Sequence, residues 1–212
     1  MAGLLKTLAR AKGLRLIPDR KPWYEGPEIA ALEPKHLEGA LLLPAREDWV
    51  ARLPKEGVGA EIGVAFGDFT KQLEAVSSKL HLVDSWASKR YEAGLRKVEE
   101  MFAQRIAAGE IQIHRGISVE AMTQIPDGSL DWIYIDTNHE YETTKAELLL
   151  GETKVKPGGI IAGHDFSRGN PYTGGPYGVI AAVNEFCVER DWKFEYLTME
   201  PTMPRSFSLK KI

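Results

Sequence analysis

The stretch Gly59-Ala-Glu-Ile-Gly-Val-Ala-Phe-Gly-Asp-Phe-Thr70 decides the fold of this chain. An apolar strand carries the acid Glu61 at its end, and two glycines, Gly63 and Gly67, follow it before a helix-length segment. A second apolar strand, Leu80-His-Leu-Val-Asp84, ends in a carboxylate. Glycines let a ligand approach the backbone closely, and an acid at the tip of the next strand accepts hydrogen bonds from ribose hydroxyls. The two motifs together predict a site for an adenosine-containing cofactor.

Strand and helix patterns alternate from Val58 onward, which favours a parallel sheet with helices on both faces. Near the C-terminus, Trp192–Leu197 and Ser206–Lys210 are typical of two strands joined by a short turn, and we expect an antiparallel hairpin there. The other predicted strands are Val58–Gly63, Leu80–Asp84, Ile111–His114, Leu130–Asp136 and Gly159–Ala162. The prediction is an α/β, Rossmann-like fold with a seven-stranded, mostly parallel sheet, a C-terminal antiparallel hairpin and helices on both faces.

Residues 1–57 lack this alternation and are interrupted by prolines. We predict an irregular N-terminal arm or lid at 1–57 and a cofactor-binding domain at 58–212. The first 21 residues are basic, and Leu4, Leu5 and Leu8 share one helical side, so we expect this part to pack on the domain or on another copy of the chain. A transit peptide and a surface-binding helix are the alternatives.

Composition limits the other function classes. With 212 residues and 43% hydrophobic content, the chain can bury one substantial core. A net charge of -3 gives no general attraction for nucleic acid, which we do not expect as a partner. The single cysteine, Cys187, fits a reducing compartment, and we expect a cytoplasmic protein. No apolar run approaches the roughly 20 residues that span a bilayer, so no membrane span is expected.

The glycine spacing bears on which cofactor is bound. A nicotinamide fingerprint would place three glycines as Gly-x-Gly-x-x-Gly, whereas this chain has Gly63-x-x-x-Gly67 with Ala65 where the middle glycine would be. Asp84 fits either a dinucleotide or an adenosyl ligand and does not discriminate between them. The spacing disfavours a nicotinamide-dependent (NAD) oxidoreductase, which stays an alternative, as does a catalytically silent adenosyl-binding or assembly protein.

Two further segments are more specific, Leu130-Asp-Trp-Ile-Tyr-Ile-Asp-Thr-Asn-His-Glu-Tyr141 and Lys156-Pro-Gly-Gly-Ile-Ile-Ala-Gly-His-Asp-Phe166. With them, the chain resembles the class I S-adenosylmethionine-dependent methyltransferases. Within that class it is most similar to the small-molecule O-methyltransferase branch, which includes catechol O-methyltransferase-like enzymes and macrolide-sugar and cephalosporin-pathway methyltransferases. The resemblance implies S-adenosylmethionine as cofactor. It also implies a small hydroxylated acceptor, a sugar or a secondary metabolite.

The resemblance also implies roles for residues that follow the strands. The loop Gly63–Gly67 would lie alongside the methionine part of the cofactor, and Thr70 would bind the carboxylate of that part. Asp84 would accept hydrogen bonds from the ribose hydroxyls. Trp86 would lie beside the adenine, although a tryptophan there could equally belong to the core. The implied cofactor-binding residues are Glu61, Gly63, Ala65, Phe66, Gly67, Thr70, Asp84, Ser85, Trp86, Gly116, Ile117, Ser118 and Asp136.

The same resemblance implies a catalytic pair and a metal site. His139 stands where related enzymes place a general base, three residues after Asp136, and an imidazole can take the proton that an acceptor hydroxyl must lose. Asp136, His164 and Asp165 stand where the branch places its divalent-metal ligands, which would suit Mg²⁺ or Mn²⁺. A carboxylate is more usual at the position of His164. The alternative is that His164 and Asp165 only hydrogen-bond within the active-site loop.

Overall fold

The computed structural model describes residues 26–170, 175–200 and 204–212. Its strands are β1 (Leu41–Leu43), β2 (Gly57–Ile62), β3 (Ser77–Asp84), β4 (Ile111–Arg115), β5 (Leu130–Ile135), β6 (Val155–Gly163), β7 (Trp192–Thr198) and β8 (Phe207–Lys211). They form one sheet in the order β1-β7-β8-β6-β5-β2-β3-β4. Neighbouring strands are parallel except that β8 runs antiparallel to β6 and β7. The predicted α/β class and the C-terminal antiparallel pair are confirmed.

Helices cover both faces of this sheet. They are α1 (Arg46–Val50), α2 (Thr70–Glu74), α3 (Gly94–Met101), α4 (Ala103–Ala107), α5 (Ser118–Met122), α6 (Tyr141–Lys154), α7 (Val179–Arg190) and a 3-10 helix at Pro34–His36. Successive side chains of β5 alternate between two buried clusters: Trp132 and Tyr134 pack with residues of α1 to α3, whereas Ile133 and Ile135 pack with residues of α5 to α7. With both faces covered, the carboxyl edge of the parallel strands is left for ligands.

The sheet has eight strands in the described residues, so the predicted number of seven was wrong. The additional strand, β1, comes from the stretch that the prolines predicted to be irregular. It pairs in parallel with β7, with Leu42 opposite Leu197. Leu43 is buried, and helix α1 follows with Trp49 buried in the core. Three residues followed by Pro44 are too short to give a strand pattern, and only pairing with β7 defines them.

Some expectations concern residues outside the described ranges. The leucines at positions 4, 5 and 8 and the basic first 21 residues lie there, so their role stays a prediction. Cys187 is fully buried on α7, and burial raises the pKa of its thiol to about 12. The longest described helix, α6, has 14 residues, and no helix in the described part has the length and apolarity needed to cross a membrane.

Candidate active site

The loop after β2 is held in place by a carboxylate from the tip of β3. Asp84 Oδ2 accepts hydrogen bonds from the backbone N–H groups of Val64 and Ala65, each at 2.9 Å, and Oδ1 accepts one from Trp86 N–H at 2.8 Å. Gly63 has φ +91°, and a Cβ there would lie 1.9 Å from the carbonyl oxygen of Asp136. Because of both features, this turn requires glycine and brings β2 against the end of β5.

A buried acid lies beneath this loop. Glu61 is 2% exposed, and Thr70 donates its hydroxyl to Glu61 Oε2 at 2.5 Å. Burial raises the pKa of Glu61 to about 8, although the Thr70 hydroxyl favours the ionised form. Asp136 and Asp84 raise the pKa of Glu61 further, because their negative charges at the neighbouring strand tips disfavour ionisation of Glu61. Glu61 is therefore a largely desolvated group that supports the loop from below.

A cavity of about 580 Å³ opens above the loop along the carboxyl edge. Its wall runs from Gly116, after β4, past Asp84 at the tip of β3 to Asp136 after β5. The predicted cofactor-binding residues that line it are Glu61, Gly63, Ala65, Phe66, Asp84, Ser85, Gly116, Ile117, Ser118 and Asp136. The volume is within the usual range of small-molecule sites, so one elongated ligand fits across the tips of the four neighbouring strands β4, β3, β2 and β5.

Three ionisable groups meet at the β5 end of this cavity. His139 Nε2 lies 2.6 Å from Asp165 Oδ2 and 3.4 Å from Asp136 Oδ1. Burial alone would lower the pKa of His139, but its hydrogen bonds to Asp136 and Asp165 outweigh that effect and raise the pKa to about 9. His139 in turn holds the pKa of Asp165 below its usual range, against the effect of burial. The imidazole is therefore strongly basic for a histidine.

The methyltransferase domain family matches residues 60–166, just over half of the chain. The chain belongs to this family. It is therefore an S-adenosylmethionine-dependent methyltransferase, and an NAD-dependent oxidoreductase or a silent adenosyl-binding protein is not favoured. No curated protein matches the sequence significantly.

Solved structures share the fold of this methyltransferase at low sequence identity. A SAM-dependent methyltransferase from Aquifex aeolicus is 13% identical with a TM-score of 0.59, covering 85% of this chain and 94% of its own. A Streptococcus mutans protein solved in complex with SAH (S-adenosylhomocysteine) is 15% identical with a TM-score of 0.59. The match covers 79% of this chain and 96% of the S. mutans chain. An rRNA methylase from Streptococcus thermophilus is 14% identical with a TM-score of 0.57. The match covers 79% of this chain and 94% of the S. thermophilus chain. At these identities, the similarity shows the fold alone.

Three residues that the sequence placed in the cofactor site do not line the cavity of this methyltransferase. Thr70 is fully buried and its hydroxyl is engaged by Glu61, so it does not fit the predicted contact with the cofactor carboxylate. Trp86 is 2% exposed and donates from Nε1 to the carbonyl oxygen of Ala65 at 2.8 Å. Trp86 is thus a core residue that fixes the loop. Gly67 faces α3, where a Cβ would lie 3.0 Å from Val98 Cγ2.

The predicted metal ligands are only partly brought together. His164 is buried, and its Nδ1 lies 2.9 Å from the hydroxyl of Ser206, so this histidine is turned into the structure. Among the described residues, the group able to hold an ion consists of Asp136, His139 and Asp165, whose ligand atoms lie within 4.8 Å of one another. Adjacency to Asp165 in the chain does not imply a shared side-chain direction, so the structure groups His139 rather than His164 with the two acids, and metal binding itself stays a prediction.

Among the cavity residues that sequence reasoning missed, Arg46 is the positively charged one. Its guanidinium lies 4.2 Å from the centre of the Phe69 ring, and its Nη1 is 4.0 Å from Asp136 Oδ2. The backbone N–H of Arg46 donates to Glu200 Oε1 at 2.9 Å. The residue belongs to α1, which the sequence predicted as part of an irregular arm. No pattern signalled it, because α1 has only five residues and its position depends on β1.

Proposed function

We propose that this methyltransferase transfers a methyl group from S-adenosylmethionine to a hydroxyl of a small acceptor, a sugar or a secondary metabolite. The acceptor oxygen attacks the methyl carbon in line with the sulfonium. The new C–O bond forms as the S–C bond breaks, and the electron pair of that bond stays on sulfur to give S-adenosylhomocysteine. The acceptor proton must leave to a base. We assign His139 as that base and Asp136 as its partner at the cavity wall.

The observation that carries this proposal is the position of His139 between two carboxylates. Asp165 lies 2.6 Å from Nε2, so it would hold a proton on that nitrogen in the neutral imidazole. Nδ1 is then the nitrogen free to accept the acceptor proton. The imidazolium that forms would be stabilised by both Asp136 and Asp165, which is the cause of the raised pKa. A strongly basic imidazole is suited to deprotonating a hydroxyl, because a hydroxyl is a weak acid.

Residues that follow β6 support placing the acceptor at the His139 end of the cavity. The ring of Tyr177 lies 4.6 Å from that of His139, and its hydroxyl accepts a hydrogen bond from Asn170 Nδ2 at 2.9 Å. Arg46, from the predicted arm of residues 1–57, lines the cavity. We propose that part of this arm covers the site as a lid, while β1 and Trp49 join the sheet and core of the domain predicted at 58–212. We also propose that the arm mediates contact between copies of the chain.

Metal-assisted transfer is the second candidate, favoured by the cluster of Asp136, His139 and Asp165. Two carboxylates and an imidazole fit part of the ligand set of Mg²⁺ or Mn²⁺ once His139 Nε2 has no proton. The chemistry that such an ion supplies is a lower pKa for the acceptor hydroxyl.

The test uses S-adenosylmethionine and a panel of sugars, catechols and hydroxylated secondary metabolites, with release of S-adenosylhomocysteine as the readout. We expect turnover with hydroxyl acceptors, a loss of about 100-fold or more in His139→Gln, and unchanged S-adenosylhomocysteine binding in that variant. Methyl transfer only to nitrogen or to RNA would contradict the proposal. So would full activity of His139→Gln.

A further inference from the structure

The cavity of this methyltransferase has an uneven charge. Three carboxylates line it, those of Asp68, Asp84 and Asp136, and the buried Glu61, whose pKa is raised, adds a fourth acid. Among the described lining residues, Arg46 is the one lysine or arginine, and the other basic group, His139, is already paired with Asp136 and Asp165. S-adenosylmethionine brings an ammonium and a sulfonium, which acids attract, and a carboxylate, which acids repel. We propose that Arg46 binds the carboxylate of the methionine part of the cofactor.

The order of the strands places Arg46 at the correct end of the cavity. The adenosine end is defined by Asp84 on β3 and by Gly116 after β4. Strands β3, β2 and β5 are neighbours in that order, so the tip of β5 lies about 10 Å from that of β3. Arg46 is 4.0 Å from Asp136, just after β5, and therefore lies where the amino acid part of an extended ligand would end.

The guanidinium of Arg46 has a fixed orientation and still has N–H donors available for a ligand. It stacks over Phe69 and interacts with the Tyr134 hydroxyl. Its separations from Asp136 and Glu47, 4.0 Å each, exceed a hydrogen-bond distance, so most of its N–H donors remain available. Arginine carries five N–H donors in a planar fork that matches a carboxylate. Stacking on Phe69 fixes the plane of that fork before the ligand arrives, so little side-chain freedom is lost on binding.

The structure also removes the alternative partner for this carboxylate. Thr70, which the sequence assigned to it, is fully buried and donates to Glu61. Arg46 is held by the body of the fold: its backbone N–H is bonded to Glu200, and Trp49 of the same helix is buried in the core. This inference rests on the cofactor of the family and not on the identity of the acceptor.

Calorimetry with two ligands separates this role from a general electrostatic one. S-adenosylhomocysteine carries the amino acid group, whereas 5′-methylthioadenosine has the same adenosine and sulfur without it. We expect Arg46→Met to weaken S-adenosylhomocysteine binding at least tenfold and to leave 5′-methylthioadenosine within about twofold of wild type, and Arg46→Lys to recover part of the loss. The matched control is Arg52→Met, since Arg52 binds the carbonyl oxygen of Asp48 and stacks on Tyr196 outside the cavity.

Three results would overturn the proposal. Equal losses for the two ligands would mean that Arg46 supports the loop or the fold rather than the carboxylate. Unchanged S-adenosylhomocysteine affinity in Arg46→Met would remove the contact altogether. Unchanged affinity with a raised KM for the acceptor would assign Arg46 to the acceptor. If Arg46→Met does not fold, Arg46→Lys gives the same comparison, since an ammonium cannot reproduce the bidentate contact.

Discussion

His139 and Asp165 both adopt left-handed backbone conformations, with φ of 65° and 55°, and their side chains meet at 2.6 Å. Neither is glycine, so each conformation carries a local cost that the surrounding structure must offset. The carbonyl oxygen of His139 accepts a hydrogen bond from Gly178 N–H at 2.8 Å, which ties this turn to the start of α7. Strained residues of this kind concentrate at functional sites, and here the strain brings an acid and a base together.

The first prediction is an alkaline pH optimum. Because the pKa of His139 is raised to about 9, the imidazole is protonated at neutral pH and only its small neutral fraction acts as base. The value of kcat/KM should therefore rise about tenfold per pH unit toward pH 9 and then level off. In Asp165→Asn the same rise should end at lower pH, because one carboxylate that raises the pKa is gone. A profile centred near pH 6.5 in the wild type would contradict this account.

Chelation tests the role of a metal. The 2.6 Å contact of His139 with Asp165 is a hydrogen-bond distance and is shorter than the roughly 3 Å between adjacent ligands of an ion with 2.1 Å bonds. We therefore predict that turnover in the presence of EDTA stays within about twofold of the untreated enzyme. Loss of turnover with EDTA, restored by Mg²⁺ or Mn²⁺ and absent in Asp136→Asn, would instead favour the metal-assisted candidate.

Much of this site could be predicted from its sequence, because backbone position depends on local pattern. The glycine loop, Asp84 and the segment from Asp136 to His139 follow strands whose apolar runs are unmistakable, and the structure places them at one edge. The direction of a side chain is not encoded in that way. Thr70 and Trp86 lie next to the cavity in the chain but are turned into the core.

Other features depend on contacts between distant segments. Strand β1 exists because Leu41–Leu43 meets β7, about 155 residues later, as the register of Leu42 with Leu197 shows. The placement of Arg46 depends on that pairing and on Glu200. His164 and His139 are both near Asp165, one in sequence and one in space, and only the fold distinguishes them. A single sequence contains no local signal for any of these relations.

Away from the site, a pair of buried histidines should make the stability of the protein depend on pH. His81 Nδ1 lies 2.9 Å from His114 Nε2, and burial, aided by His114 and Lys79, lowers the pKa of His81 to about 4. In the unfolded chain this pKa is about 6.5, so the unfolded state binds the proton more strongly between these values. The contribution of His81 to the free energy of unfolding should therefore fall as pH decreases from about 6.5 to about 4. Urea unfolding of wild type and His81→Gln measures it as the difference between their pH profiles. Parallel profiles would contradict the assignment.

Asp84 should matter both for the loop and for the cofactor. An ionised carboxylate offers about four acceptor positions, and three are taken by backbone N–H groups, which leaves one for a ribose hydroxyl. Asp84→Ala should weaken S-adenosylhomocysteine binding about tenfold or more and lower the melting temperature, since buried donors lose their acceptor at about 1–3 kcal/mol each. The control is Asp127→Ala, whose carboxylate binds Lys154 away from the cavity. Unchanged affinity in Asp84→Ala, measured by calorimetry, would reject the cofactor site.

A crystal structure of the full chain with S-adenosylhomocysteine would show directly where the cofactor binds and how it is oriented. We expect the ligand in the carboxyl-edge cavity, with a ribose hydroxyl within hydrogen-bond distance of Asp84 and the carboxylate within hydrogen-bond distance of Arg46. The sulfur should face Asp136 and His139, with the acceptor on the cavity side of His139. A ligand bound in the reverse direction, or outside this cavity, would show that the cofactor site is assigned wrongly.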